Sequence, residues 1–112
     1  MKPSKTIAVI VRDEALLASL SFALGVEGFL VEGSRAWPAG LDARADLACI
    51  ILDSENYRVE AAARGGLDAA HRPILFLSDA LSPVPDHAGV SGIAKPFQGN
   101  ELVETVRRLA VA

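Results

Sequence analysis

The sequence lacks the features that would place it in several large classes of protein. It has a single cysteine, Cys49, so no internal disulfide can form and a reducing, cytosolic setting is expected. The apolar run near its start, at residues 7–11, is too short for a signal-peptide core or a membrane span. Basic residues are not clustered, and the net charge of -3 gives no indication of nucleic-acid binding. We therefore expect a cytoplasmic chain with neither nucleic-acid nor membrane partners.

Apolar residues, in contrast, are abundant. They make up 51% of the 112 residues, which is enough to fill a core, and disorder is not expected at this hydrophobicity and low net charge. The length fits one domain, and neither a repeat nor a linker-like stretch divides the chain. Residues 1–112 are therefore predicted to form a single domain.

Short apolar runs alternate with stretches of helical character. The runs predict five strands, at residues 6–11, 28–32, 47–52, 73–77 and 91–94. Helices are predicted at residues 14–24, 38–44, 58–70 and 100–111. Gly65 and Gly66 are expected to break the third of these helices. Two prolines and a glycine between residues 79 and 89 predict a loop or at most one helical turn there.

This alternation predicts βαβ units with right-handed crossovers, and hence an α/β fold with a parallel sheet. Five strands fit the flavodoxin-like, doubly wound order 2-1-3-4-5, here with a shortened third helix and an eroded fourth helix. In such sheets the ligand site lies outside the carboxyl ends of the strands. The residues expected there include carboxylates, a hydroxyl and an ammonium group: Arg12, Asp13, Glu14, Asp53, Ser78, Asp79, Lys95 and Pro96.

Four of these strand ends resemble the motifs of the response-regulator receiver family of two-component signalling. Residues 9–14 resemble its first strand and acidic pair, and residues 49–53 the strand that ends in the acceptor aspartate. Residues 74–78 resemble the strand that ends in Ser or Thr, and residues 92–97 the Lys-Pro-Phe element. Each motif is weak alone, but four in the right order across nearly the whole chain are fairly specific. The resemblance implies a signalling domain and not an enzyme.

The resemblance also implies a role for each of these residues. Asp53 would accept a phosphoryl group, and Mg²⁺ would be bound by Asp13, Asp53 and the backbone carbonyl of Glu55. Lys95 would pair with Asp53 and then with the phosphoryl oxygens, and Ser78 would hydrogen-bond the transferred group. A divalent cation held by hard oxygen ligands suits this chemistry because it offsets the charge repulsion between a carboxylate and a phosphoryl donor.

The partners implied by the resemblance are proteins. A histidine kinase or a phosphotransfer protein would supply the phosphoryl group in a phosphorelay. The signal would then pass by contact with a downstream protein partner, because the chain shows no DNA-binding or enzymatic domain of its own. Formation of a homodimer is left open.

Arg12 departs from the family pattern, because it stands where the first of two acids is usual. A cation there opposes metal binding: two unit charges about 5 Å apart interact by roughly 3 kcal/mol at an effective dielectric near 20. Glu14 is a further candidate ligand that could compensate. Alternatively, Arg12 could pair with Asp53 in place of a metal, or it could point to solvent.

Three further positions differ from the family. Asp79 stands where a small residue is common, and its charge would discourage phosphorylation unless it points outward. Tyr57 replaces a proline, and Gly92 stands three residues before Lys95, where the family has an aromatic switch residue. Pro96 is expected to follow Lys95 through a cis peptide, as in the family.

Two interpretations of function therefore remain. The first is a phosphoacceptor receiver that uses Asp53 and signals by protein–protein contact. The alternative is a pseudo-receiver, a protein-binding module that works independently of phosphorylation, which Arg12, the altered loop after Asp53 and the missing aromatic favour. An enzyme on a flavodoxin-like scaffold is disfavoured because no glycine-rich phosphate loop follows the first strand. A requirement for Mg²⁺ would separate the first two interpretations.

Overall fold

The structure, a computed structural model, describes residues 5–110, apart from the side chain of Ala69. Within that range the strands are Thr6–Ile10 (β1), Leu30–Ser34 (β2), Cys49–Asp53 (β3), Ile74–Ser78 (β4) and Val90–Ala94 (β5). The α-helices are Glu14–Val26 (α1), Ser54–Val59 (α2), Ala61–Ala69 (α3) and Gly99–Ala110 (α4), and a 3-10 turn spans Leu41–Ala43. The predicted end of the last helix, Val111, lies outside the described residues.

The strands form one parallel sheet in the order β2-β1-β3-β4-β5, which confirms the predicted flavodoxin-like topology. The register places Asp53 beside Leu77 and places Ser78 beside Ala94. The carboxyl ends of β3, β4 and β5 therefore lie at one edge of the sheet. Lys95 directly follows β5 at this edge. The sheet thus assembles residues that are far apart in the sequence.

Two hydrophobic clusters pack on opposite faces of the sheet, because the central strands are apolar at consecutive positions. Strands β3 and β4 are buried at every residue. One cluster lies under α1 and α4, and it includes Leu20, Leu24, Leu102, Val103 and Val106. The other lies under α3 and the 3-10 turn, and it includes Leu41, Ala63, Leu67 and Phe76.

The expectation that Gly65 and Gly66 break a helix is wrong. Helix α3 runs through both glycines, and the interruption lies at Glu60, whose backbone is extended at φ −117° and ψ 115°. A β-carbon on Gly66 would lie 2.2 Å from Cζ2 of Trp37, so the glycine permits close packing of α3 against that ring. The helical segment also begins at Ser54, four residues before the predicted start at residue 58. Two helices thus replace the single shortened third helix of the prediction.

The predicted helix at residues 38–44 is reduced to the 3-10 turn at Leu41–Ala43. No helix occurs between β4 and β5, where all residues are described, so the eroded fourth helix is confirmed. In residues 5–110 no helix is long and apolar enough to cross a membrane.

Candidate functional site

A buried ion pair occupies the carboxyl edge of the sheet. Asp53 is the last residue of β3 and is 2% exposed. The ammonium nitrogen of Lys95, the residue after β5, donates to Oδ1 of Asp53 at 2.7 Å. Lys95 is joined to Pro96 by a cis peptide, as the family resemblance led us to expect. The predicted carboxylate of Asp53 and ammonium of Lys95 are therefore in direct contact.

The segment after Asp53 presents a donor to the carboxylate. Helix α2 begins at Ser54, and the backbone N–H of Glu55 donates to Oδ2 of Asp53 at 3.3 Å. The Glu55 carbonyl belongs to the first turn of α2, and carbonyls in an α-helix point along the axis toward later residues. The family resemblance assigns this carbonyl to Mg²⁺, and that assignment stays a prediction.

Asp13, another implied metal ligand, has a hydrogen-bond partner in the helix that follows it. Oδ1 of Asp13 accepts a hydrogen bond from the backbone N–H of Leu16 at 2.9 Å, so Asp13 caps α1. Asp13 and Glu14 are both exposed. Among residues 5–110 no group of three or more acidic, His or Cys side chains could hold a metal ion. Side chains alone therefore form no such group there, and the implied set of two carboxylates and a backbone carbonyl stays a prediction.

Arg12 pairs with Glu55 and not with Asp53. Its Nε lies 3.3 Å from Oε1 of Glu55, and both side chains are about half exposed, at 47% and 48%. Its backbone N–H donates to Oδ1 of Asn56, and its carbonyl accepts from Nε of Arg35. The hypothesis that Arg12 replaces a metal by pairing with Asp53 is therefore wrong, because Lys95 already occupies that carboxylate.

Asp79 points toward the site, so its alternative outward orientation is wrong. Its carboxylate accepts hydrogen bonds from Oγ of Ser54 at 2.9 Å and from Nη1 of Arg58 at 3.1 Å. It also accepts from the backbone N–H groups of Leu81 and Ser82. Burial alone would raise the pKa of Asp79, but these hydrogen bonds outweigh burial and lower the pKa to about 2.

Lys95 connects Asp79 to the buried acid. Its ammonium lies 3.9 Å from Oδ2 of Asp79, compared with 2.7 Å from Asp53. Ser78 ends β4, between β3 and β5, and it is buried. Its hydroxyl donates to the carbonyl of Ile93 at 3.4 Å. The hydroxyl expected to hydrogen-bond a phosphoryl group is therefore directed toward β5.

Sequence reasoning missed Ser54 and Arg58. Arg58 contacts Asp79 across 21 positions of the chain, and it also donates to Oγ of Ser82 at 2.9 Å. Ser54 could have been found, because it is a polar residue directly after Asp53. No local pattern in the sequence indicated Arg58, because its partners lie in a loop without regular structure.

Comparisons with known proteins identify the fold and the family. No model of a protein family matches the sequence. A crystal structure described as adenylate cyclase from Rhodopirellula baltica matches with a TM-score of 0.77 and 15% identity, over 96% of this chain and 88% of that one. A receiver domain protein from Bacillus halodurans C-125 matches with a TM-score of 0.74 and 12% identity, over 96% and 97%. At these identities the structures establish the fold.

The fold is that of response-regulator receiver domains, and the chain belongs to this family. Its curated relative is the transcriptional regulator protein FixT of Rhizobium meliloti (strain 1021). The two are 33% identical over 114 residues, which cover 100% of this chain and 98% of FixT. Receiver domains act in two-component signalling, interact with histidine kinases and downstream effectors, and generally bind Mg²⁺.

Proposed function

We propose that this chain is a receiver that signals by protein–protein contact without phosphorylation of Asp53. The observation that carries the proposal is that both carboxylate oxygens of Asp53 are engaged, Oδ1 by Lys95 at 2.7 Å and Oδ2 by the N–H of Glu55 at 3.3 Å. A carboxylate that accepts from an ammonium and an N–H is satisfied without a metal. The pair then holds the edge of the sheet in one conformation.

Two further observations support a fixed conformation. The position of the family's aromatic switch is Gly92, and Val84 of the β4–β5 loop lies directly over it. Oγ of Ser78 is turned toward the Ile93 carbonyl. Neither a ring that moves inward nor a hydroxyl that follows a phosphoryl group is arranged here as the resemblance implies.

A second candidate is the phosphoacceptor receiver. Asp53, Ser78 and Lys95 lie at one edge of the sheet, which favours it. In that case Asp53 would take the phosphoryl group from a histidine kinase or phosphotransfer protein. The Glu55 carbonyl and Asp13 would then bind Mg²⁺ together with Asp53, and Glu14 would be a further candidate ligand.

In either case we propose a single cytoplasmic domain that is not an enzyme and that contacts a sensor protein or a downstream protein. The histidine kinase is the partner class that the receiver family supplies. Measurement of the mass in solution tests whether the chain forms a homodimer.

Beryllofluoride binding tests the proposal because this phosphoryl mimic needs no cognate donor. We would titrate the protein with Mg²⁺ and beryllofluoride, follow fluorine NMR and melting temperature, and incubate parallel samples with acetyl phosphate for intact-mass analysis. We expect no bound fluoride signal, no magnesium-dependent shift and no adduct. A bound signal or an adduct that requires Mg²⁺ and disappears in Asp53→Asn would establish the phosphoacceptor instead. Arg12→Asp separates the causes, since binding restored by this change would make Arg12, and not α2, the obstacle.

A further inference from the structure

We propose that a cleft between α2 and the β4–β5 loop binds an acidic amphipathic helix of a partner protein. The cleft has a volume of about 570 Å³, and its lining includes Tyr57, Arg58, Arg64, Leu81, Val84 and Pro85. The inference rests on the proposed function in that it names the surface and the chemistry of the partner. It does not depend on whether Asp53 is phosphorylated.

The sheet lacks a helical cover beside this cleft. In a doubly wound parallel sheet, helices cover both faces. No helix lies between β4 and β5, all of whose residues are described. On β5, Ile93 is buried under α1 and α4, while its neighbours Gly92 and Ala94 are exposed. A partner helix laid here would continue the layer that α2 and α3 begin.

The loop that forms one wall of the cleft is held in place by polar contacts. The Asp79 carboxylate accepts from Ser54 and from Arg58 of α2. Arg58 donates to Oγ of Ser82 as well, and the backbones of Asp79 and Ser82 exchange hydrogen bonds at 3.3 Å. The wall is therefore formed before a partner arrives, so that less conformational entropy is lost on binding.

The cleft exposes apolar surface in a concentrated patch. Leu81 is 78% exposed and Val84 is 38% exposed, and both line the cleft. The ring of Tyr57 forms part of the base, packed edge-on against Phe76 with ring centroids 5.3 Å apart. A single exposed leucine needs no explanation, but three such groups around one concave surface are typical of an interaction site.

The charge of the cleft indicates the chemistry of the partner. Nη1 of Arg64 donates to the carbonyls of Tyr57 and Arg58, each at 2.8 Å, and Arg64 has no carboxylate partner among the described residues. The carboxylate of Asp79 accepts from Arg58, which lines the cleft, and from backbone donors. In a chain of net charge -3, the cleft thus places the guanidinium of Arg64 beside an apolar patch. Acidic side chains that border an apolar helix face complement it.

The test uses the full chain and a stapled helical peptide with Leu on one face and Glu along its borders. A matched peptide carries Lys at each Glu position. We expect the acidic peptide to bind and to shift the NMR signals of Tyr57, Leu81 and Val84. We expect the Lys peptide to bind at least about tenfold more weakly. Equal binding of the two peptides, no binding, or shifts centred on α1 would overturn the proposal.

Variants locate the binding surface. Leu81→Ala should weaken binding of the acidic peptide about tenfold, whereas Phe22→Ala on α1, a residue similarly exposed at 75%, should leave it unchanged. Arg64→Gln should weaken it severalfold and reduce its salt dependence, and circular dichroism checks that α2 remains folded. If Phe22→Ala weakens binding as much as Leu81→Ala, the cleft is not the site. The beryllofluoride experiment does not involve this surface, so the two proposals fail separately.

Discussion

A β-carbon added to Gly92 would lie 2.0 Å from Cγ2 of Val84, so the β4–β5 loop rests directly on the backbone of β5. Gly92→Ala should therefore displace the loop and lower stability by about 1–3 kcal/mol, as overpacking does. Urea denaturation measures the loss, and hydrogen exchange at residues 79–89 reports the loosened loop.

The double variant Gly92→Ala with Val84→Ala tests the cause. Removing the Val84 methyl groups makes room for the new β-carbon, so the double variant should be more stable than the sum of the two single changes indicates. Additive effects would mean that the loop yields without cost and that Val84 does not hold it in place.

Adjacent glycines in α3 should respond oppositely to alanine. Gly66→Ala should cost about 1–3 kcal/mol because its β-carbon would meet the Trp37 ring at 2.2 Å. Gly65→Ala has nothing within 4 Å and should stabilise the helix by about 0.5–1 kcal/mol. Thermal unfolding of the pair gives the comparison, and a stabilising Gly66→Ala would show that Trp37 can move aside.

Lys95 should contribute more to stability than Asp53 does. Lys95→Met leaves a carboxylate that is 2% exposed without its cation, which should cost about 3 kcal/mol. Asp53→Asn keeps one oxygen to accept from Lys95, loses the longer bond from the Glu55 N–H and leaves Lys95 near Asp79, so it should cost about 1 kcal/mol. Denaturant unfolding ranks the two, with Arg107→Ala, from an exposed pair with Glu27, as a control of below about 1 kcal/mol. The reverse ranking would contradict a buried pair that depends on its lysine.

His87 fastens the far end of the β4–β5 loop to α3. The carbonyl of Ala88 and the carboxylate of Asp68, 2.7 Å from Nε2, raise the pKa of His87 from its usual 6.5. Because the folded state favours protonated His87, this stabilisation is complete below the usual pKa and is lost as pH rises through the raised value. His87→Gln should therefore lower the melting temperature at about pH 5 and have little effect at about pH 9. An equal effect at both pH values would exclude the charged pair.

Much of the fold could be predicted because apolar burial is visible in the sequence. Continuous apolar runs identified β1, β3 and β4, and the charged or polar residues at their ends located the edge with the functional residues. β2 was placed two residues early, at 28 instead of Leu30, because its buried pattern is weak. The break in the helical segment was misplaced because glycine is unfavourable in helices by propensity, and the contact of Gly66 with Trp37 overrides this.

The arrangement of the site could be predicted only in part. The Asp53–Lys95 pair follows from topology, since Asp53 ends β3, Lys95 directly follows β5, and these two strands lie on either side of β4. The partner of Arg12 depends on where α2 begins, and a helix start directly after Asp53 is not marked by the sequence. The orientation of Asp79 could not be predicted either, because it depends on Arg58 and on backbone groups of the loop.

The polar attachment of the β4–β5 loop makes this segment sensitive to ions. The Arg58–Asp79 pair is partly exposed, at 32% and 26%. Interactions between such charges weaken as the screening length falls from about 8 Å at physiological ionic strength to about 3 Å in 1 M salt. The sheet beneath is held by apolar burial, which salt does not screen. The local salt concentration would thus control how often the β4–β5 loop opens, whereas the sheet beneath it would not respond to salt.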